Sequence, residues 1–354
     1  MDYKRKKRKR KSFIIYPLFI TTLISITLCM IFFLYGLSQK NKIKEAMGKV
    51  AVLEETNSKL FSQSQVDILI EKAKQEILDK FKSMLENGES MLSILQTLYP
   101  DYVIASSNGK YYFFPILETN KKNNFDLSKF TYPTYNDEKK EWEGTATYMA
   151  KEEKEARKGI DVSTFQGEIN WKKVKNSGIE YAIIRLGFRG YESGKIVLDS
   201  KFEENIEGSL NVGLDTGVYF FTEALNEKEA IEEAEFVIEN LKEYKINMPV
   251  VIDVEESANT EKTRTRDLTA EQRTKNVIAF CETIKKSGYE VMIYGNLKSF
   301  MIMMNFEELE EYDKWFAYYR YPFHFPYKIK MWQYTASEKI DGIDGKTDVN
   351  LMFY

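Results

Sequence analysis

The chain has 354 residues, one histidine, two cysteines and a formal net charge of −3. A Ser-His-Asp triad would have to run through His324, which sits in an aromatic stretch from Tyr321 to Phe325 and reads as a packed imidazole. A His/Cys zinc site needs more nitrogen and sulfur donors than His324, Cys29 and Cys281 supply, so Asp and Glu are left to carry any catalysis, and neither metal nor cofactor is expected.

The first twelve residues hold eight Lys/Arg and Asp2, a charge of +7, which leaves −10 on the rest of the chain. Residues 13–37 carry no charge and are mostly apolar, long enough to span a bilayer with some tilt. No small-residue cleavage pattern follows Leu37, so an uncleaved anchor is expected rather than a signal peptide. The basic tail, residues 1–12, should stay cytoplasmic, with everything after residue 37 outside a cell membrane crossed once. Contact with anionic lipid heads accounts for the tail more simply than nucleic acid, and no nucleic-acid partner is expected. Cys281 lies on the apolar helix face of Val277-Ile278-Ala279-Phe280-Cys281 and reads as a buried small hydrophobe.

Residues 38–98 read as a helical stalk. Val66, Leu69, Ile70, Ala73, Ile77, Phe81, Met84 and Leu85 recur at helical spacing, with Ser64 as N-cap and Gly88 as C-cap. The heptads are too short to specify an oligomer. The stalk is the expected surface for any envelope protein partner. Residues 99–157 follow as a small β-hairpin region and a charged linker. Strand-like runs from Tyr102 and to Phe114 flank Asn108-Gly109, a hairpin signal. A lone hairpin is marginal, so it should pack on the stalk or on the domain behind it. Residues 118–157, rich in Lys, Glu and Asn, read as a loosely ordered spacer.

From residue 158 to residue 354 the pattern is α/β. Strands are predicted at 159–162, 181–185, 217–221, 249–253, 291–294, 314–318, 329–333 and 348–351, and helices at 168–177, 200–212, 226–244 and 269–287. Such alternation implies parallel strands, and eight of them in about 200 residues imply a compact TIM-like barrel with its site at the C-terminal strand ends. The most informative stretch is Val250-Val251-Ile252-Asp253-Val254-Glu255-Glu256. It is a β-branched run of a buried strand, and residues two apart on a strand face the same side. Asp253 and Glu255 should therefore project together, so that one pKa rises and the pair divides into acid and base, as glycoside hydrolysis requires. Asp161, Arg185, Tyr219, Tyr294 and Trp332 fall at or near other strand ends. Asp348 opens the last strand, and its presence at the same mouth requires a loop crossing there.

The motifs in order resemble glycoside hydrolase family 25, the lysozymes that act as N-acetylmuramidases on bacterial peptidoglycan. Gly159-Ile160-Asp161-Val162-Ser163-Thr164-Phe165-Gln166-Gly167 with Ile169-Asn170-Trp171 resembles the opening motif. Ile184-Arg185 with Asp199, Phe202 and Asn205 resembles a second block, and Gly217 with Tyr219-Phe220-Phe221 a third, where the family often has His in place of Phe220. Asp253-Val254-Glu255 resembles the paired-carboxylate signature, and Trp332-Gln333-Tyr334 with Gly345, Asp348, Val349 and Asn350 the closing motif. The resemblance implies an irregular eight-stranded barrel with fewer than eight helices. It implies Glu255 as the acid that protonates the glycosidic oxygen. Asp253 would stabilise charge at the anomeric carbon or orient the 2-acetamido group, and Asp161 and Asp348 would line the cleft. Tyr219, Tyr294 and Trp332 would contact sugar rings, and Arg185 either contacts substrate or pairs with the acidic cluster. Retaining, inverting and substrate-assisted routes all stay open. The competing reading is an inactive module that binds glycan or protein at the envelope; a metal-dependent deacetylase fits poorly for lack of histidines.

Overall fold

The computed structural model describes residues 36–52, 62–116, 125–136, 141–149, 156–257, 261–321 and 323–353, with Met30 and Leu34. The basic tail and nearly all of the expected membrane span lie outside the described residues. No helix among those described is long and apolar enough to cross a membrane. The chain divides into two units, Met1–Glu89 and Ser90–Tyr354.

In the first unit, residues 36–52 are helical and α1 spans Gln63–Glu86. Its N-cap is Ser62 rather than the expected Ser64: the Ser62 hydroxyl accepts from the Gln65 N–H while the Gln65 side chain accepts from the Ser62 N–H. That reciprocal pair satisfies two donors of the open first turn. Gly88 follows the C-cap at φ 76°, a left-handed position that glycine adopts at little cost. Ile68, Leu69, Ile70, Ile77 and Leu78 on α1 are exposed.

The second unit begins with α2 (Met91–Leu98) and a hairpin of β1 (Tyr102–Ser107) and β2 (Lys110–Pro115). Asn108 and Gly109 both have positive φ, 51° and 72°, as the tight turn demands. Short pairs follow: β3 (Phe130–Thr131) with β6 (Thr147–Tyr148), and β4 (Thr134–Asn136) with β5 (Glu141–Glu143). The described part of 118–157 is not a loose spacer. Phe130 packs on Trp332 and Phe353, and Phe125 and Tyr148 also meet Phe353. Composition hid this, because a few aromatics in a Lys/Glu-rich segment bury far more area than their number suggests. The hairpin likewise joins the barrel's core through Val103 and Ala105.

The barrel strands are β7 (Ala156–Val162), β8 (Tyr181–Arg189), β10 (Asp215–Phe221), β11 (Val250–Asp253), β12 (Val291–Asn296), β13 (Asp313–Ala317), β14 (Met331–Glu338) and β15 (Thr347–Phe353), with a short β9 (Ile196–Leu198) hydrogen-bonded to the end of β8. All eight predicted strands are present. β9 pairs antiparallel with β8, the other neighbours from β7 through β14 are parallel, and β15 closes the ring antiparallel to both β14 and β7. That reversal corrects the expectation of an all-parallel sheet. It also brings Asp348 to the mouth: β15 starts where the parallel strands end, and Asp348 pairs with Asp161 in register.

Helices α3 (Trp171–Asn176), α4 (Phe202–Asn211), α5 (Glu227–Leu241) and α6 (Ala270–Lys286) follow the early strands, as the alternation predicted. Asn226 caps α5 and Thr269 caps α6, each accepting an N–H of the first turn, and Lys285 and Lys286 end α6 where the helix dipole favours cations. Ala230, Ala234, Val237 and Leu241 on α5, and Val277, Phe280, Cys281 and Ile284 on α6, supply the buried faces. Cys281 is buried and its thiol is pushed up by desolvation. Alternation along each strand separates two cores. Tyr181, Ile183, Val251, Met292, Trp315 and Met331 fill the barrel interior, while Ala182, Ile184, Ile252, Ile293, Phe316 and Trp332 face outward. Gly159 is obligatory in this packing, because a Cβ there would lie 2.3 Å from the Tyr181 ring.

Candidate active site

The C-terminal mouth of the barrel holds a cavity of about 190 Å³ lined by Asp161, Asp253, Glu255, Asp348, Tyr219, Tyr294, Trp315, Tyr319 and Gln333. A larger open groove of about 730 Å³ lies beside Trp171 and residues 340–344. Its acids, Glu168, Asp341 and Asp344, are exposed surface groups, with Glu168 paired with Lys201 and Asp341 with Lys173, so the chemistry belongs to the smaller cavity.

Strand parity assembles the carboxyls. Asp253 ends β11, and the Val254 N–H continues the strand by donating to the Tyr294 carbonyl at 3.0 Å. Val254 is buried in the outer core, so Asp253 and Glu255 both turn into the cavity. Asp161, one residue before the end of β7, faces the same space. Its Oδ2 accepts from Asn350 Nδ2 at 2.8 Å and from Gln333 Nε2 at 2.9 Å. Gln333 Oε1 accepts from the hydroxyls of Tyr294, at 2.8 Å, and Tyr319. Trp315 Nε1 donates to Asn350 Oδ1 at 2.7 Å, and its ring meets Tyr294 edge-on at 4.6 Å. Asp253 Oδ1 is buried with no hydrogen-bond partner among the described residues, a polar atom at the cavity.

Burial raises every carboxyl of the group, as the low local dielectric disfavours the charged form. Desolvation, then repulsion from Asp348, pushes Glu255 up to about 7. Desolvation alone brings Asp348 to about 6. Asp161 and Asp253 also rise, through desolvation first and then repulsion from Asp348 and Glu255 respectively. The two differ in what opposes the rise: amide hydrogen bonds at Asp161, and the positive charge of Arg185 at Asp253. Among the described residues no cation or donor opposes it at Glu255, which is half-buried, whereas Asp253 is buried. The four groups titrate together, so near neutral pH they share protons rather than carry four charges.

Six of the eight residues singled out in the sequence line this cavity: Asp161, Tyr219, Asp253, Glu255, Tyr294 and Asp348. Trp332 is a correction. It is fully buried on the outer side of β14, its Nε1 donating to the Tyr318 carbonyl at 2.8 Å and its ring among Phe130, Tyr321 and Phe323. The neighbour in the same motif, Gln333, faces inward instead, by the two-residue period of a strand. Arg185 is also outside the cavity lining: Nε donates to Asp199 Oδ2 at 2.6 Å, and the guanidinium acts on Asp253 only through its field. Trp315 and Tyr319 were missed. Trp315 lies in a predicted strand, and counting parity from an inward residue would have found it; Tyr319 follows β13 in a loop, where parity gives no guide.

Residues 160–343 match the model of glycosyl hydrolases family 25. The chain belongs to that family. The YegX protein of Escherichia coli K12 is 27% identical over 200 residues, covering 54% of this chain and 68% of YegX. An autolytic lysozyme of Clostridium acetobutylicum is 25% identical over 194 residues, covering 54% of this chain and 55% of that one. The modular autolysin LytC of Streptococcus pneumoniae superposes with a TM-score of 0.52 at 25% identity, over 72% of this chain and 61% of LytC. This family 25 chain is therefore a glycoside hydrolase whose barrel carries the paired carboxylates in one enclosed cluster. It spans only about half to two-thirds of the length of these relatives.

Proposed function

We propose that this enzyme is a muramidase that hydrolyses the β-1,4 bond between N-acetylmuramic acid and N-acetylglucosamine in peptidoglycan. The observation that carries the reading is the Asp253/Glu255 pair, turned into one cavity with Glu255 pushed up to about 7. A carboxyl with that pKa is substantially protonated at neutral pH and can give its proton to the departing glycosidic oxygen. Asp253, beside the field of Arg185, supplies negative charge under the anomeric carbon as oxocarbenium character develops, or orients the 2-acetamido group. Asp161 is held by Asn350 and Gln333 as a fixed acceptor for sugar hydroxyls, and Tyr219 and Tyr294 give the rings an aromatic wall. The name of one relative, an autolytic lysozyme, and the solved complex of LytC with a synthetic peptidoglycan ligand favour a wall glycan as substrate.

The same proposal places the enzyme at the cell membrane. The uncharged residues 13–37 form its single span, the basic tail of residues 1–12 lies in the cytoplasm, and the barrel faces the wall. The exposed apolar residues of α1 suit contact with an envelope protein partner. Digestion of purified peptidoglycan by the full-length protein tests the activity. New reducing ends on N-acetylmuramic acid, absent with Glu255→Gln, are expected. Release of reducing N-acetylglucosamine instead would refute the bond assigned, and release of nothing by the folded protein would favour an inactive binding module. Protease protection of the tail in intact cells tests the orientation.

A further inference from the structure

Phe165, 81% exposed, is the most exposed large apolar residue among the described residues of the second unit, and neither the cavity nor the core accounts for it. It lies four residues after Asp161, in the loop that leaves β7 at the catalytic mouth. This loop is fixed from several sides. The Ser163 hydroxyl accepts from the Phe165 N–H at 3.2 Å, and the Gln166 side chain accepts from the Ser163 N–H at 2.8 Å. The Thr164 N–H donates to Asp199 Oδ2 at 3.2 Å, and its hydroxyl bonds Ser200 at 2.8 Å. Asp199, with no side-chain exposure, also holds the Arg185 guanidinium, which lies 4.8 Å from the centroid of the Phe165 ring. A cation over the ring on that side orients it and leaves the remaining surface to solvent.

We propose that Phe165 is a sugar-stacking platform: a pre-oriented ring, backed by Arg185, that receives a pyranose of the glycan strand outside the enclosed cavity. The inference rests on the muramidase reading for the identity of the strand, and on geometry alone for the platform. A rigid apolar face with no partner is what the C–H face of a pyranose needs, and pre-orientation removes the ordering cost that a free side chain would bring. The Phe165 loop leaves β7 just beyond Asp161, which itself lines the cavity, so a sugar on the ring sits on the side of the barrel where the carboxyls open. Arg185 becomes a positioning residue for Phe165 rather than a direct sugar contact. Phe165 is 81% exposed and outside the core, so replacing it should leave the fold intact.

The test uses the full-length protein and soluble wall-glycan oligomers of increasing length. Covering roughly 50 Å² of ring face corresponds to about tenfold in affinity at the usual transfer coefficient. Phe165→Ala is expected to raise KM about tenfold on long oligomers, with a smaller effect on the shortest cleavable one and kcat within about twofold. Phe165→Trp restores KM, while Phe165→Leu does not. Titration of the same oligomers into Glu255→Gln, with and without Phe165→Ala, reads binding without turnover. KM and binding unchanged by Phe165→Ala on long oligomers would overturn the platform while leaving the muramidase standing. Absent turnover with binding still weakened by Phe165→Ala would keep the platform and overturn the reaction.

Discussion

Replacing Glu255 by Gln should trade activity for stability, in a way that depends on pH with a defined sign. The Glu255 carboxyl goes from an ordinary 4.5 to about 7 in the fold. Below about pH 4.5 it is protonated in folded and unfolded chains alike and contributes nothing. Between 4.5 and 7 the unfolded chain releases the proton while the folded one keeps it, so stability falls as pH rises. Above 7 the full penalty is present, roughly 3 kcal/mol for a displacement of that size, shared in part with Asp348 through their mutual repulsion. Glu255→Gln removes the charge at nearly constant volume. At pH 8 the variant should gain about 2–3 kcal/mol, a rise in Tm of roughly 5–10 °C for a unit of this size, while at pH 4 the two proteins should melt together. Calorimetric scans at both pH values, beside a turnover assay, read the two halves. A variant no more stable than wild type at pH 8, or one retaining near-wild-type turnover, would refute the claim that a buried, uncompensated acid is what the fold maintains here.

Wild-type kcat/KM should follow a bell in pH, falling above about 7 as Glu255 ionises and on the acid side as the aspartates protonate, Asp348 near 6 among them; a flat profile from pH 5 to 9 contradicts the assignment. Asp253→Asn should lower kcat by at least about 100-fold with the melting temperature kept or raised, because it too removes a buried charge, and kinetics with a thermal scan decides. Trp332→Ala should cost about 3–5 kcal/mol, measured by denaturant unfolding, since it empties a packed outer site, while the less drastic Trp332→Phe should leave KM unchanged; a KM effect from the latter would return Trp332 to the substrate. Deleting residues 90–155 should destabilise the barrel, since Phe125, Phe130 and Tyr148 leave Phe353 and Trp332 uncovered; an unchanged Tm in the shortened protein would make that segment an independent spacer.

The acid pair Asp253/Glu255 was legible because its signal is local. A β-branched run ending in Asp-x-Glu is a buried strand by composition, and its two acids share a face by backbone geometry alone. The same holds for the eight strands, the four barrel helices and the Asn108-Gly109 turn, each decided by residues within a few positions of one another. Trp332 shows where that logic stops. An aromatic at a predicted strand end reads as a sugar contact, yet which of Trp332 and Gln333 faces the mouth depends on register against β13 and β15, pairings made with distant chain. Asp348 needed the direction of β15, set by how the barrel closes. Phe125, Phe130 and Tyr148 needed the bare outer wall that they cover. Arg185 and Phe165 needed Asp199, which holds the guanidinium and the loop from another part of the chain. By itself the sequence determined the elements, the acid pair and the chemistry that one histidine leaves open. Tertiary structure alone decided which face each side chain presents and how far burial lifts each carboxyl, because inward and outward, and wet and dry, are properties of a closed barrel rather than of any strand in it.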